Sequence, residues 1–250
     1  MVYSSIKSKR VRYFLLHLTL CIVVAIICIL WMFNIWYPMP LNKAVGVTHI
    51  FLMMITIDII VGPLLSLLVY KEHKKTLKMD LTIISICQII ALCYAMYSLT
   101  QGRPVWLVYN VDRFELIRAN ELYTKNISKA QPEYQKVGWL RPKFVATAFA
   151  RDVKELNDNM LEESLAGISL AQRPERYVPL LNATDAIKKR TKPLSELNHY
   201  NEKNKVQAII TKYPKADGFL PLKANVEDMT VLIDRKTGEV VKIVDLRPWK

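Results

Sequence analysis

Asp58 is the residue of this sequence whose chemistry is most conspicuous, because it lies near the middle of an apolar run at 45–70. A charged side chain at the centre of a membrane span costs about 3 kcal/mol on insertion scales, so it rarely remains without a partner. Gly62 and Pro63 follow one helical turn later. The next apolar run carries Gln88 at a depth that differs from that of Asp58 by less than two helical turns.

These residues allow two interpretations. In the first, Asp58 is protonated or hydrogen-bonded to a neighbouring span, for instance to Gln88, and helps to bundle three helices. In the second, Asp58 is a polar docking point for the membrane helix of a partner, next to a kink at Pro63 that frees the carbonyl of Ile59. Gly62 and Pro63 are equally compatible with the ordinary composition of membrane helices.

An intramembrane aspartyl protease is a third idea for Asp58, and it needs a second carboxylate that shares the chemistry. The spans contain none, since Asp80 lies at a span edge. The histidines at 17, 49, 73 and 199 show no metal-ligand spacing, and no phosphate-binding glycine pattern or G-x-S-x-G motif is present. A triad assembled only by folding would not show in this way. We therefore expect no catalytic site, metal or cofactor.

Three apolar runs are close to or above the ~20 residues that cross a bilayer. They cover about 13–36, 45–70 and 81–99, within a transmembrane region at 13–100. A signal peptide cleaved near Ala44 is the alternative for the first run, but that run is too long for a signal h-region. All four cysteines lie in these runs, so the rest of the chain must be stable without disulfides.

The net charge of +13 is unevenly placed. Residues 1–100 carry nine Lys and Arg against three acids, and residues 101–250 carry 26 against 19, which leaves only +7 there. Basic segments in the N-terminus, residues 1–12, and at 71–78 lie on one side of the spans. By the positive-inside rule both are cytoplasmic, and residues 103–250 are exported to the periplasm of a bacterium with an outer membrane. The high pI thus indicates topology rather than nucleic-acid binding.

The predicted fold is a membrane protein with three transmembrane α-helices followed by a periplasmic α+β domain at 101–250. We expect a strand at 105–108, an extended or helical stretch at 114–117, a helix-compatible stretch at 121–137 and a strand at 142–150. A helix from Asp152 to about 165, stopped at Gly167, precedes short helices and loops at 171–205. A hairpin pairs 229–233 with 240–244 across a turn with Gly238. The tail after it is expected to dock on the domain, with the membrane surface as the alternative. The basic cluster at 188–192 is expected to be a solvated face.

Residues 101–121 form the junction between the lipid-adapted and water-adapted parts. Gly102 and Pro104 end the apolar helix, and Arg103 and Pro104 fix how the exported domain leaves the bundle. Asp112 and Arg113 are interpreted as a structural turn rather than a site.

The same junction carries a family resemblance. Its sequence GRPVWLVYNVDRFELIRANEL resembles that of the type IV pilin accessory proteins, the TfpX, TfpY, TfpZ and FimB family. The second span adds TIDIIVGPLL, similar to the family's D-x-x-x-GP-L-L pattern. Further matches are Lys78-Met-Asp80-Leu81 and the tail VLID-x-x-TGEVV that ends in Arg-Pro-Trp.

The resemblance implies a non-enzymatic inner-membrane factor for assembly or surface display of a major type IV pilin. Its partners would be that pilin, other inner-membrane components of pilus assembly and membrane lipid, with no nucleic acid. The three spans, through Asp58 and Pro63, would contact the pilin helix while the α+β domain contacts its head. The alternatives are a pilin-modifying glycosyltransferase and a periplasmic DNA-binding module for uptake, which predicts salt-dependent DNA binding.

Overall fold

The computed structural model describes residues 9–148, 157, 160, 164–165 and 167–250. The described residues form two compact units. The membrane unit contains residues 9–34 and 47–101, and the sheet unit contains residues 35–46 together with the described residues from 102 to 250.

The helices of both units are α1 (Lys9–Trp31), which continues as a π-helical turn over Met32–Trp36, α2 (Leu41–Ala44), α3 (Val47–Val69), α4 (Leu77–Gly102), α5 (Thr184–Arg190) and α6 (Lys203–Lys212). Within the described chain, three segments are long and apolar enough to cross a membrane: Lys9–Trp36, Val47–Val69 and Leu77–Gly102. The prediction of three apolar helices able to span a membrane is confirmed. α3 continues as a helix through Pro63, which lies buried inside it.

Helices α1 and α3 form the closest pair of the membrane unit. At one end Arg10 Nε donates to the carbonyl of Leu67 at 2.6 Å. At the other end the rings of Phe33 and Phe51 lie 6.1 Å apart, so the two helices run antiparallel. Leu99 is the single buried residue of α4, every residue of which is described. Most of the apolar surface of α4 therefore remains available to lipid or to another helix.

The sheet unit is built on one mixed sheet of eight strands: β1 (Pro104–Asn110), β2 (Arg113–Arg118), β3 (Lys143–Thr147), β4 (Tyr177–Pro179), β5 (Lys192–Pro193), β6 (Gly218–Lys223), β7 (Met229–Asp234) and β8 (Glu239–Val244). The strand order is β4-β3-β1-β2-β6-β7-β8, and β5 pairs with β6. β1 is antiparallel to β2 and parallel to β3. The predicted α+β domain is confirmed.

Strand β1 is buried along its whole length because both faces of the sheet are covered. Successive side chains of a strand point to opposite faces. Trp106 and Val108 accordingly pack in one core with Tyr134 and Tyr177. Leu107 and Tyr109 of β1 pack in a second core that also contains side chains from β2, β6 and β7.

The connector between the first two spans, residues 35–46, is part of the sheet unit. Leu41 and Ala44 are 3% and 0% exposed and belong to the same core as Leu107. The backbone N–H groups of Val226 and Glu227 donate to the carbonyl of Ala44 at 2.9 and 3.2 Å. The sequence analysis placed the connector in the transmembrane region. It packs with the sheet instead, because its apolar side chains complete that core.

An ion pair also ties the connector to the end of β8, with Lys43 Nζ 2.8 Å from Asp245 Oδ2. This hydrogen bond raises the pKa of Lys43 above its ordinary value of 10.5. Burial raises the pKa of the Asp245 carboxyl, but the bond from Lys43 and the charges of Lys205 and Arg247 outweigh burial and hold it below its ordinary 3.8.

The pair should therefore stabilise the fold between these limits. Its contribution is expected to be lost as the pH falls below 3.8 through the lowered pKa of Asp245, and again as the pH rises above 10.5 through the raised pKa of Lys43. The Lys43 side chain is 59% exposed and the Asp245 side chain 26% exposed. The ion pair therefore contributes only about 0.5 kcal/mol to the free energy of unfolding, and less as the salt concentration rises. The free energies of unfolding of wild type and Lys43→Met, measured with urea, should differ at pH 7 and become equal at pH 3. A constant difference across that range would contradict this prediction.

Several predicted elements of the sheet unit are confirmed. The C-terminal hairpin is β7 and β8, and Gly238 has a φ of +78° at its turn. The stretch at 114–117 is extended, as β2, and 171–205 consists of short elements. The tail docks on the domain, since Leu246 is fully buried and Trp249 Nε1 donates to Asp228.

Other predictions for the sheet unit need correction. The stretch at 121–137 is not a helix: it contains short 3-10 turns at Ala119–Glu121, Ile127–Lys129 and Pro132–Tyr134. Its polar sequence lacks an apolar stripe, and the burial of Tyr134 against Trp106 sets its path instead. β3 ends at Thr147, and 149–150 lie outside the described residues. Most of the helix expected from Asp152 also lies outside them, although Gly167 has a φ of +64° where a stop was predicted. β6 was not predicted from the sequence.

The turn between β1 and β2 contains a strained residue, Val111, with a φ of +57°. The N–H of Asp112 donates to the carbonyl of Asn110 at 2.7 Å, which closes a γ-turn around Val111. Burial raises the pKa of Tyr109 to about 12, so its hydroxyl remains protonated and donates to the carbonyl of Val111 at 3.0 Å. A positive φ is a genuine outlier for a β-branched residue.

Val111→Gly is therefore expected to stabilise the chain by about 1 kcal/mol, since glycine adopts a positive φ without the steric cost. Thermal unfolding of the purified protein in detergent, followed by near-UV circular dichroism, would measure the change. Asp112→Gly is the matched control, because Asp112 does not have a positive φ and glycine there only adds flexibility. Equal effects of the two substitutions would argue against strain at Val111.

Candidate functional site

A row of polar groups on one face of α3 is the basis of the candidate site. Asp58, Gly62 and Ser66 are spaced at i, i+4 and i+8, so they lie above one another on that face. Ser66 is 1% exposed and Gly62 is buried, whereas Asp58 is half-buried. The row places backbone and side-chain oxygens in the interior of an otherwise apolar unit.

Helix α1 reaches this row through His17. His17 Nδ1 lies 2.7 Å from Ser66 Oγ, and the Ser66 hydroxyl donates to the carbonyl of Gly62 at 3.1 Å. Which of the His17 and Ser66 side chains donates to the other depends on the tautomer of the imidazole. The two contacts join α1 to α3.

Helix α4 reaches the same row through Gln88. Gln88 Nε2 donates to the backbone carbonyl of Asp58 at 3.2 Å and lies 3.6 Å from Cys21 Sγ of α1. The Gln88 side chain also interacts with the Asp58 carboxyl, and His17 interacts electrostatically with the same carboxyl. One amide therefore contacts all three spans, an arrangement compatible with the first interpretation of Asp58.

The close approach of Gln88 explains the glycine at position 62. A Cβ built on Gly62 would lie 1.8 Å from Gln88 Nε2. Any side chain at position 62 must displace the amide from its place beside Asp58. Gly62 thus provides the space that the Gln88 amide occupies between α3 and α4, and it has no special backbone angle.

Two apolar cavities flank Asp58 within the membrane unit. One, of about 190 Å³, lies between α3 and α4 and is lined by residues that include Phe51, Met54, Ala91, Ala95 and Met96. The other, of about 230 Å³, is lined by His17, Gln88 and apolar side chains of α1 and α4. A half-buried carboxyl between two apolar cavities can accept or donate one hydrogen bond to a helix that enters either of them.

The four site candidates at the junction lie in the sheet unit and do not converge on one point. Arg103 is 6% exposed and donates to the carbonyl of Gly138 at 2.9 Å, and Pro104 is the first residue of β1. Arg113 lies 3.9 Å from Asp112 and 3.7 Å from Glu115 in the turn that follows. This placement matches a structural turn. Among the described residues, no group of three His, Cys, Asp or Glu side chains could hold a metal ion.

A buried polar network in the sheet unit was missed by the sequence analysis. Glu115 is 6% exposed and accepts hydrogen bonds from Asn110 Nδ2 at 2.9 Å and from Ser169 Oγ at 3.1 Å. Thr147 Oγ1 in turn donates to Asn110 Oδ1 at 3.2 Å. The feature of the sequence that could have indicated this network is Glu115, an acidic residue inside the apolar strand sequence FELI. The network ties three segments of the domain together through a single carboxylate.

His17 and Ser66 were also missed as members of the intramembrane site. Each is a polar residue within an apolar run, and this was the signal that could have found them. Their contact depends on the antiparallel pairing of α1 and α3, and this pairing sets their relative depth.

The fold and site together define a class of protein: a three-span membrane protein with an intramembrane polar cluster and an α+β sheet domain. The family model for "Fimbrial assembly protein FimB" matches residues 6–46, which covers the first span and the connector. Together with the relatives described next, this match confirms the resemblance to the FimB family, although residues 6–46 contain none of the motifs quoted above.

Relatives extend this similarity to most of the chain. The "Fimbrial assembly protein, serogroup I" of Dichelobacter nodosus is 26% identical over 92% of this chain and 93% of its own length. The serogroup E1 protein of the same organism is 27% identical over the same shares. A third, for serogroups C1 and C2, is 27% identical over 46% of this chain and 89% of its own. No solved structure matches the chain significantly.

Proposed function

We propose that this chain is a non-enzymatic accessory factor of fimbrial assembly, which contacts a major type IV pilin before or during its polymerisation. The similarity to relatives named fimbrial assembly proteins, over 92% of the chain, is the observation that carries the proposal. A type IV pilin before assembly is a single membrane helix with a globular head. A protein that holds it needs one binding face in lipid and another in water.

The arrangement of the membrane unit supports the lipid half of this proposal. Helix α4 has little buried surface, and the cavity between α3 and α4 opens beside Asp58. Ala91 and Ala95 line it one helical turn apart, and small residues allow two helix backbones to approach closely in a membrane. The exposed surface of α4, the cavity and the two alanines would together accommodate one added helix that hydrogen-bonds to Asp58.

The proposed location is the bacterial inner membrane, with a cytoplasmic N-terminus and a periplasmic sheet unit. Lys9 lies 4.0 Å from Glu72, so the two basic segments meet at one end of the bundle. The packing of the connector in the sheet unit supports a location of residues 35–46 and 102–250 on the same side of the membrane. Alkaline phosphatase fused after residue 250 should be active in cells, and an inactive, stable fusion would contradict this orientation.

Site-specific photocrosslinking tests the contact itself. A photoreactive residue at Met96, which lines the cavity between α3 and α4, should crosslink to the pilin in intact cells. The same residue at Ile90 is the matched control, since Ile90 belongs to the same helix, is 62% exposed and does not line the cavity. Equal crosslinking from both positions, or from neither, would contradict a contact in the cavity.

The non-enzymatic part of the proposal has its own test. The intact mass of the pilin should be the same in cells with and without this protein. A glycan missing only in its absence would favour the glycosyltransferase alternative.

A further inference from the structure

One loop of the sheet unit exposes large apolar side chains next to basic ones. It consists of residues 136–143, with the sequence KVGWLRPK, and is called here the Trp139 loop. The side chains of Trp139 and Leu140 are each 67% exposed. Burial of such side chains is favourable, so adjacent exposed ones at a defined position indicate a surface that meets an apolar medium.

The Trp139 loop is held by the two residues that adjoin the ends of two spans. Trp36, at the end of the first span, donates from Nε1 to the carbonyl of Trp139 at 3.0 Å. Arg103, directly after α4, donates to the carbonyl of Gly138 at 2.9 Å, and its guanidinium lies 5.3 Å from the centre of the Trp139 ring. Both anchors are buried, at 5% and 6% exposure. The loop is thus fastened to residues that lie, in the sequence, at or next to the ends of two spans.

The charges of the loop match a phospholipid surface. Lys136, Arg141 and Lys143 are all exposed, and the loop contains no acid. Tryptophan is enriched at membrane interfaces because its ring is amphipathic, and lysine and arginine beside it can reach phosphate groups. The loop therefore combines two exposed apolar side chains with three exposed basic ones, and it is anchored to residues at or next to the ends of two spans.

We propose that the Trp139 loop inserts Trp139 and Leu140 into the headgroup region of the membrane, with anionic phospholipid as its ligand. The loop would then attach the sheet unit directly to lipid, in addition to the three covalent links to the spans, which follow residues 34, 46 and 101. Such a contact would restrict rotation of the domain relative to the bilayer. This inference does not depend on the proposed role in fimbrial assembly.

Tryptophan quenching in reconstituted vesicles tests the loop contact. Full-length protein is placed in phosphatidylcholine vesicles with or without phosphatidylglycerol, and the signal of Trp139 is taken as wild type minus Trp139→Phe. Bromine atoms on the lipid acyl chains, close to the headgroup, should quench the fluorescence of Trp139. Iodide in the aqueous phase should not quench it. Replacing Lys136, Arg141 and Lys143 with glutamine should reduce the lipid quenching in anionic vesicles.

The control moves the indole to the other end of β1. Asp112→Trp in the Trp139→Phe background places it in an exposed turn about 20 Å from Pro104, at the rise of a strand. That signal should be quenched by iodide and not by brominated lipid. The proposal would be overturned if iodide quenched the indoles at positions 139 and 112 equally, or if both indoles were equally shielded from iodide. Shielding of Trp139 that appears only when purified pilin is added would also overturn it, in favour of a protein contact.

Discussion

Cells carrying Asp58→Ala or Asp58→Asn are expected to display fewer surface fimbriae while the protein stays at its normal level in the membrane. The alanine variant removes the carboxyl that faces the two cavities, and the asparagine variant keeps its size but changes its hydrogen-bonding character. A hydrogen bond between membrane helices contributes about 1–2 kcal/mol, so loss of one bond should weaken the contact about tenfold. Electron microscopy or a shearing assay of surface fimbriae, with an immunoblot of membranes, would measure the effect.

Asp80→Asn is the matched control for Asp58. It makes the same chemical change near the start of α4, where Asp80 pairs with Lys74 at 2.6 Å rather than facing a cavity. This variant should keep normal fimbriation. Normal fimbriation in both Asp58 variants would remove the intramembrane part of the proposed function, and loss of the protein itself would assign Asp58 to bundle stability instead.

Leu41→Ala is expected to destabilise the sheet unit by about 2–5 kcal/mol, although two spans separate Leu41 from β1 in the sequence. The reason is its burial: Leu41 is 3% exposed in the core that contains Leu107 and Leu220. Removal of its side chain leaves a cavity in a core that is closed on the other sides by strands. Urea unfolding of the purified protein in detergent, followed by near-UV circular dichroism, would measure the loss.

Met39→Ala is the control in the same connector. Met39 is 76% exposed, so its truncation should change the unfolding free energy by less than about 0.5 kcal/mol. If the two variants unfold at the same urea concentration, the connector is not part of the core.

Local signals account for the parts of the fold that could be predicted. The hairpin of β7 and β8 combines two apolar β-branched strands with a short turn that ends at Gly238, and all of this information lies within sixteen residues. The three spans follow from hydropathy alone, because backbone groups in lipid must be satisfied within a helix. Neither prediction required knowledge of what the segment would contact.

The parts that could not be predicted depend on distant partners. β6 contains Pro221 and reads as a poor strand, yet it pairs with β7 and reaches β2 and β5 at its ends. The connector is short and weakly patterned, and its burial is set by strands more than sixty residues away. In the membrane unit, Asp58, Gly62 and Gln88 were found by type and depth, but the contact of His17 with Ser66 required the pairing of α1 and α3.

The burial of Leu41 and Ala44 has a consequence for how the chain matures. During synthesis the connector is among the first segments to leave the ribosome, whereas β7, which closes the same core, is among the last. The early segment therefore lacks its packing partners until the rest of the domain has been synthesised. α3 and α4 separate the two pieces in the chain and must cross the membrane as a pair, since insertion of one alone would leave the pieces on opposite sides. A fragment that starts at residue 103 would lack part of its own interior.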